Sequence, residues 1–109
     1  VDVDEWSYVN GKENVERNGL MNYVDIRHGS LEVVRESEFT MVLANITRNA
    51  IIDLLPAMLD KLQKEGLLLL SGFMADDRAA MEKMLQQHRC TLLSVINEND
   101  WIGIAARRG

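Results

Sequence analysis

The 109-residue sequence predicts a single α/β domain built on a mostly parallel sheet with an antiparallel last strand. Strand-like apolar runs alternate with helix-like amphipathic segments, which is the pattern of βαβ units. Residues 67–70 are continuously apolar, as is typical of a central strand buried on both faces. Residues 97–100 are too few for a crossover connection, so the last strand must run antiparallel to the strand before it.

The first part of the chain predicts two strands and one helix before residue 39. Residues 1–3 are expected to end a strand, and Asp4 is suited to capping a helix over about residues 5–17. Asn18 and Gly19 supply its stop signal. Residues 23–27 alternate apolar and polar side chains, as a half-buried strand does, and residues 31–38 favour a short helix or a loop.

The second part predicts the order strand, helix, strand, helix, strand, strand. Its strands are expected over residues 39–44, 67–70, 90–96 and 101–106, and its last helix over residues 76–89. An apolar stripe at helical spacing runs over residues 51–62, with Pro56 either kinking the helix or lying in its first turn. Residues 64–66 are expected to close that helix, with Gly66 as the C-cap glycine.

Composition and charge argue against several classes of function. A net charge of -5 disfavours a nucleic-acid partner but leaves room for a basic protein partner. Cys90 is the only cysteine, so neither an internal disulfide nor a cysteine-cluster metal site can form, which suits the reducing cytoplasm. No apolar run approaches the ~18 residues of a membrane span. We therefore expect a cytoplasmic protein with no metal, no nucleic acid and no membrane partner.

Small or polar residues stand at the carboxyl ends of all four predicted parallel strands. They are Asp2 and Asp4 after the first, His28, Gly29 and Ser30 after the second, Asn45 after the third, and Ser71 and Gly72 after the fourth. Ligands of open α/β sheets bind outside these ends, so Asp2 and Asn45 are expected to project into one polar pocket.

Each candidate residue also has a purely structural interpretation. Asp2 could accept hydrogen bonds from the two hydroxyls of a ribose while Val3 packs against a base, or the aspartates could only cap the helix, a role that fits Asp4 better. Ser30 could offer its hydroxyl or its N–H to an adenine edge, or could belong to a plain turn. The residues alone favour the structural interpretation for Asp2 and for Ser30.

Asn45 leaves the two interpretations evenly balanced. Its amide carries one acceptor and two donors, so it could accept a hydrogen bond from an incoming amine and orient the nitrogen lone pair. It could equally occupy a left-handed turn or cap the helix that follows.

Several segments resemble the class I S-adenosylmethionine-dependent methyltransferases, and in particular the PrmA family that modifies a large-subunit ribosomal protein. The segments are VDVDEWSYVNGKENVERNGL, GSLE, VLANITRN, LLLLSGFMADD and NDWIGIAARR, which together span nearly the whole chain. VLAN followed by LSGF at this separation is the most specific part of the resemblance.

The resemblance implies a Rossmann-like sheet, S-adenosyl-L-methionine as cofactor and an amino group of a protein as methyl acceptor. It implies cofactor contacts at Asp2, Val3, Ser30 and Asn45, with Asn45 also at the methyl-transfer site. Residues 1–109 would be the C-terminal part of a methyltransferase catalytic domain. The family's first strand and its Gly-rich loop have no counterpart here, so we expect this piece alone to be inactive and to bind cofactor weakly or not at all.

The sequence leaves one alternative function open and disfavours another. A non-catalytic Rossmann-like module could serve in structure or interaction, and the sheet edge left by the missing strand could promote a homodimer or strand exchange. A dehydrogenase fragment is disfavoured because its glycine fingerprint is absent.

Overall fold

The computed structural model describes all 109 residues, and the chain divides into two compact units, Val1–Arg35 and Glu36–Gly109. The first unit is built around helix α1, Glu5–Arg17. Asp4 caps this helix, as expected: its carboxylate accepts the Trp6 N–H at 3.1 Å and the Ser7 hydroxyl at 3.0 Å. Asn18 follows as the C-cap, so both ends of α1 lie where the sequence placed them.

The strand predicted over residues 23–27 is not formed. In the first unit, β pairing is limited to one isolated parallel bridge between Asp2 and His28. In that bridge Asp2 N–H donates to Arg27 O at 3.2 Å, and Gly29 N–H donates to Asp2 O at 2.8 Å. The two predicted segments do meet, but only Asp2 and His28 pair, so the backbone groups of residues 23–27 have no strand partner. The same unit ends in a short 3-10 helix, Leu31–Val33, which agrees with the first alternative for that segment.

The second unit holds a four-stranded mixed sheet. Its strands are β1 (Phe39–Asn45), β2 (Leu62–Met74), β3 (Cys90–Glu98) and β4 (Trp101–Arg108), in the spatial order β1-β2-β4-β3. β1 and β2 are parallel, whereas β4 is antiparallel to both β2 and β3. Three strands therefore share one direction and the last runs against them, as the sequence predicted.

Two helices connect these strands and close the core. Helix α2 (Arg48–Lys61) joins β1 to β2, and helix α3 (Arg78–Gln87) joins β2 to β3 after a 3-10 turn, Ala75–Asp77. Both crossovers move in the same direction along the sheet, so the right-handed rule places both helices on one face. Pro56 lies in the interior of α2, which excludes the alternative that it belongs to the first turn.

Alternate strand residues and one stripe of each helix form the core. On β2 and β4 the buried side chains share one face, because Leu68 pairs with Ala106 and Leu70 with Ile104. The buried residues include Ile51, Leu55, Met58 and Leu59 of α2, Met81 and Leu85 of α3, Leu68, Leu70 and Phe73 of β2, and Ile102, Ile104 and Ala106 of β4. None of the helices combines the length and the apolar character that a membrane span requires.

The boundary between α2 and β2 differs from the expectation. The helix ends at Lys61 and β2 begins at Leu62, so residues 64–66 do not close a helix. They form a bulge instead, since Phe39 pairs with Leu62 but Met41 already pairs with Leu67. Gly66 is required within this bulge: a Cβ there would lie 2.7 Å from the Leu62 Cγ.

Two arginines near the end of the chain stabilise that bulge. Arg107 Nη1 donates to Glu65 O at 3.0 Å, and Arg108 Nη1 donates to Leu62 O. Both arginines belong to β4, which extends beyond the predicted end at residue 106. They satisfy backbone carbonyls that the irregular pairing leaves without ladder partners.

Candidate functional site

Asn45 is the last residue of β1, and its side chain is exposed. It pairs with Ser71 across the sheet, and the next residue, Ile46, donates its N–H to Ser71 O at 3.1 Å. The chain therefore leaves the sheet immediately after Asn45, at the carboxyl ends of β1 and of the regular part of β2. This is the edge at which ligands bind in open α/β sheets.

Neither structural alternative for Asn45 describes what this residue does. Helix α2 is capped by Thr47, whose hydroxyl accepts the Ala50 N–H at 3.3 Å. Left-handed backbone occurs at Glu38, Glu65, Arg89 and Asn99 among residues other than glycine, and not at Asn45. No hydrogen bond is formed by the Asn45 amide, so its acceptor and both donors are available.

The Asn45 amide lies against a glycine at the end of β2. Gly72 has φ +96°, and a Cβ built on it would lie 2.6 Å from Asn45 Oδ1. The same Cβ would lie 2.8 Å from Ile46 O. The sequence had placed Gly72 at this strand end without giving it a role, because close approach between two chain segments leaves no signal in local sequence.

A shallow depression of about 330 Å³ lies on the sheet face opposite the helices. Asn45 and Ser71 line one end of it, Ser94 is a third polar residue of the lining, and the rest is apolar and includes Leu43 and Leu69. No charged residue lines it. Leu43 keeps 70% of its surface exposed, so this face is not sealed by its own unit.

Asp2, in the first unit, keeps part of its carboxylate available. Its Oδ1 accepts the Asp4 N–H at 2.9 Å, whereas its Oδ2 has no hydrogen-bond partner. The helix cap is supplied by Asp4 alone, so capping does not account for Asp2. Val3 beside it is 69% exposed, and its carbonyl oxygen lies 3.0 Å from His28 Nε2.

Ser30 is half-buried, and its two polar groups differ in availability. Its backbone N–H donates to Glu32 Oε1 at 3.1 Å, while its hydroxyl has no hydrogen-bond partner. Hydrogen bonds from the backbone N–H groups of Ser30 and Glu32 hold the pKa of the Glu32 carboxyl below its ordinary value. Glu32 lies in the segment GSLE, but it was not among the residues predicted to form the site.

The remaining titratable groups form no second site. No group of three or more His, Cys, Asp or Glu side chains is arranged to hold a metal ion. Cys90 is buried at the start of β3, and burial raises the pKa of its thiol, an effect that Arg108 partly opposes.

Comparison with known protein families decides where the chain belongs. The family model described as "Ribosomal protein L11 methyltransferase (PrmA)" matches residues 1–109. The chain belongs to the PrmA family. The resemblance carried by VLAN and LSGF is thereby confirmed.

Curated relatives agree with this assignment. The ribosomal protein L11 methyltransferase of Syntrophomonas wolfei is 35% identical over 109 residues, which cover 99% of this chain and 36% of that protein. The chain thus spans about a third of the length of the curated relatives it matches.

Two solved structures show the fold. The ribosomal protein L11 methylase of Lactobacillus delbrueckii subsp. bulgaricus matches with a TM-score of 0.88 at 24% identity, over 99% of this chain and 56% of that one. Methanocaldococcus jannaschii Trm5, solved in complex with adenosine, matches with a TM-score of 0.76 at 14% identity, over 98% of this chain and 35% of that one. The Rossmann-like methyltransferase fold predicted from the sequence is confirmed.

Proposed function

We propose that residues 1–109 form the C-terminal part of the catalytic domain of an S-adenosylmethionine-dependent N-methyltransferase. Its substrate would be an amino group of a ribosomal protein, and its place of action the cytoplasm. The observation that carries the proposal is the match of the PrmA family model to the whole chain. The free amide of Asn45 at the end of β1 supplies the chemistry.

The residues of the first unit fit the nucleoside half of the cofactor. The Asp2 carboxylate has an oxygen free to accept from a ribose hydroxyl, and carboxylates at strand ends are suited to that contact. Val3 exposes an apolar side chain that can pack on a base. The free hydroxyl of Ser30 can meet the adenine edge, whereas its N–H is already engaged by Glu32.

Asn45 would act on the methyl acceptor. The cofactor would supply an electrophilic methyl group on its sulfonium sulfur. A neutral amine would form the new N–C bond as the C–S bond breaks, the thioether would leave, and the extra proton on nitrogen would pass to solvent. An amine of lysine type has a pKa of ~10.4 in water, so the site must favour its neutral form. The Asn45 carbonyl can accept an N–H of that amine and aim its lone pair, and such positioning can contribute roughly 7–11 kcal/mol in favourable cases.

A chimera provides the direct test. Residues 1–109 replace the matching third of the Syntrophomonas wolfei relative, and transfer of a radiolabelled methyl group to the ribosomal protein is measured. We expect transfer, and we expect Asn45→Ala to lower it far more than it lowers the affinity for the cofactor. Asn22→Ala, at an exposed asparagine outside the segments that resemble the family, is the control. A folded chimera that binds cofactor but transfers no methyl group would contradict the proposal.

One observation favours a second candidate, the non-catalytic interaction module. Met41, Leu43 and Ile96 keep 41%, 70% and 68% of their surfaces exposed on the sheet, a pattern typical of a surface that meets another protein. The same chimera separates the two candidates, because an interaction module would leave it inactive.

A further inference from the structure

We infer that Gly72 is a positioning residue for the Asn45 amide: its lack of a side chain creates the space in which that amide lies. The inference rests on the proposed function, in which Asn45 acts on the methyl acceptor. Gly72 itself would touch neither cofactor nor substrate. It acts through the side chain of Asn45 at the neighbouring strand end.

The geometry at the end of β2 leaves no room for a Cβ at position 72. A Cβ would meet Asn45 Oδ1 at 2.6 Å, Ile46 O at 2.8 Å and Ile46 N at 3.0 Å. All three distances are well below an ordinary van der Waals contact.

The Ile46 backbone and the Asn45 side chain differ in how easily they can move away from a Cβ at position 72. The Ile46 N–H donates to Ser71 O at 3.1 Å, so this backbone is tied to β2 itself. The Asn45 side chain forms no hydrogen bond and is exposed, so it is the group free to rotate away. An alanine at position 72 would therefore displace the amide first.

A requirement for left-handed backbone does not by itself explain this crowding. Gly19 also has positive φ, +68°, yet a Cβ built there would meet no atom within 4 Å. Gly72 combines positive φ, +96°, with a close approach to the amide. Comparing Gly19→Ala with Gly72→Ala therefore separates two free-energy costs. One is the cost of left-handed backbone in alanine, and the other is the cost of displacing the Asn45 amide.

The first test is spectroscopic and requires no activity. In the 109-residue chain, we expect a nuclear Overhauser effect between an α-proton of Gly72 and the side-chain NH2 of Asn45, whose cross-peak is assigned by its loss in Asn45→Asp. Gly72→Ala should shift that cross-peak, whereas Gly19→Ala should not. Absence of the Overhauser effect in the unsubstituted chain would overturn the inference, and this measurement does not depend on whether Gly72→Ala folds.

The second test is a double-mutant cycle in the chimera with the Syntrophomonas wolfei relative. Misplacement of a positioned group by about 1 Å can cost on the order of 100-fold in rate, so Gly72→Ala should lower kcat by about that factor while changing the KM for the cofactor little. In the Asn45→Ala background the same substitution should lower kcat far less. Equal losses in the two backgrounds would show that Gly72 acts independently of Asn45, against the inference.

The two tests separate failure of the inference from failure of the proposed function. If Asn45→Ala leaves methyl transfer intact, the proposed function fails, and the Overhauser effect still decides the contact with Gly72. If Asn45→Ala abolishes transfer but the Overhauser effect is missing, only the role of Gly72 is lost.

Discussion

The Thr47 hydroxyl accepts a hydrogen bond from the Ala50 N–H at 3.3 Å, and this contact caps helix α2. Asn45, two residues earlier, therefore does not cap this helix. Thr47 supplies the helix cap, and the Asn45 amide stays available for the role proposed above.

This difference between Thr47 and Asn45 predicts unequal effects of substituting them on the free energy of unfolding. Thr47→Ala should lower the free energy of unfolding by about 1 kcal/mol, because a capping hydroxyl is lost. Asn45→Ala should change it much less, since the amide has no hydrogen bond to lose. Urea denaturation of the 109-residue chain measures both, and a larger loss at Asn45 than at Thr47 would show that Asn45 is structural after all.

A similar pair stands before helix α1. Asp4→Ala should destabilise the chain by about 1 kcal/mol through loss of its cap, whereas Asp2→Asn should leave the cap intact. In the chimera, Asp2→Asn should weaken cofactor binding, because a neutral amide is a poorer acceptor for ribose hydroxyls than a carboxylate. Calorimetric titration with the cofactor checks this, and unchanged affinity would remove Asp2 from the site.

The lowered pKa of Glu32 predicts a pH dependence of stability. A carboxyl whose folded pKa lies below its ordinary value of 4.5 stabilises the fold above that value. The contribution is lost as the pH falls through the folded pKa. Glu32→Gln should therefore lower the urea midpoint at neutral pH and have no such effect in strong acid. Glu13→Gln, on exposed helix surface, is the control, and a difference that persists unchanged into strong acid would contradict the prediction.

The 109-residue chain alone should bind cofactor weakly or not at all. The first strand and Gly-rich loop, which in the resembled family hold the methionine end, have no counterpart among these residues. Contacts from Asp2, Val3 and Ser30 would hold only the nucleoside. Calorimetry on the chain alone measures this, and micromolar affinity would overturn it.

The free edge of β1 predicts self-association of the chain by itself. β1 pairs with β2 on one side only and exposes Phe39, Met41 and Leu43. Unpaired edges of this kind favour pairing with a second copy. Light scattering should show a dimer or larger species, and Met41→Lys should reduce it because a charge on an edge strand opposes pairing. A strictly monomeric chain at high concentration would reject this.

Local signals predicted the elements that local interactions determine. Asp4 and the pair Asn18 and Gly19 marked both ends of α1 because capping involves residues only a few positions apart. The short link before β4 determined its direction for the same reason. The position of Asn45 at a strand end also followed, since the apolar run of β1 stops there.

Features that depend on distant partners were missed. Residues 23–27 have the alternation of a strand but only a short segment to pair with, and pairing partners are not encoded locally. Gly66 resembled a helix C-cap, but its role is to fit against Leu62 in a bulge whose carbonyls are bonded by Arg107 and Arg108. The contact between Gly72 and Asn45 joins two strand ends and is equally invisible in the sequence.

The strand order also determines when the sheet can form during translation. β4 follows β3 in the chain but lies between β2 and β3 in the sheet. During translation, β3 emerges before β4, its one neighbour in the sheet, and β2 offers it no direct partner. The sheet can close only after Trp101–Arg108 have left the ribosome, so a stalled or prematurely terminated chain would lack the strand that joins its two halves.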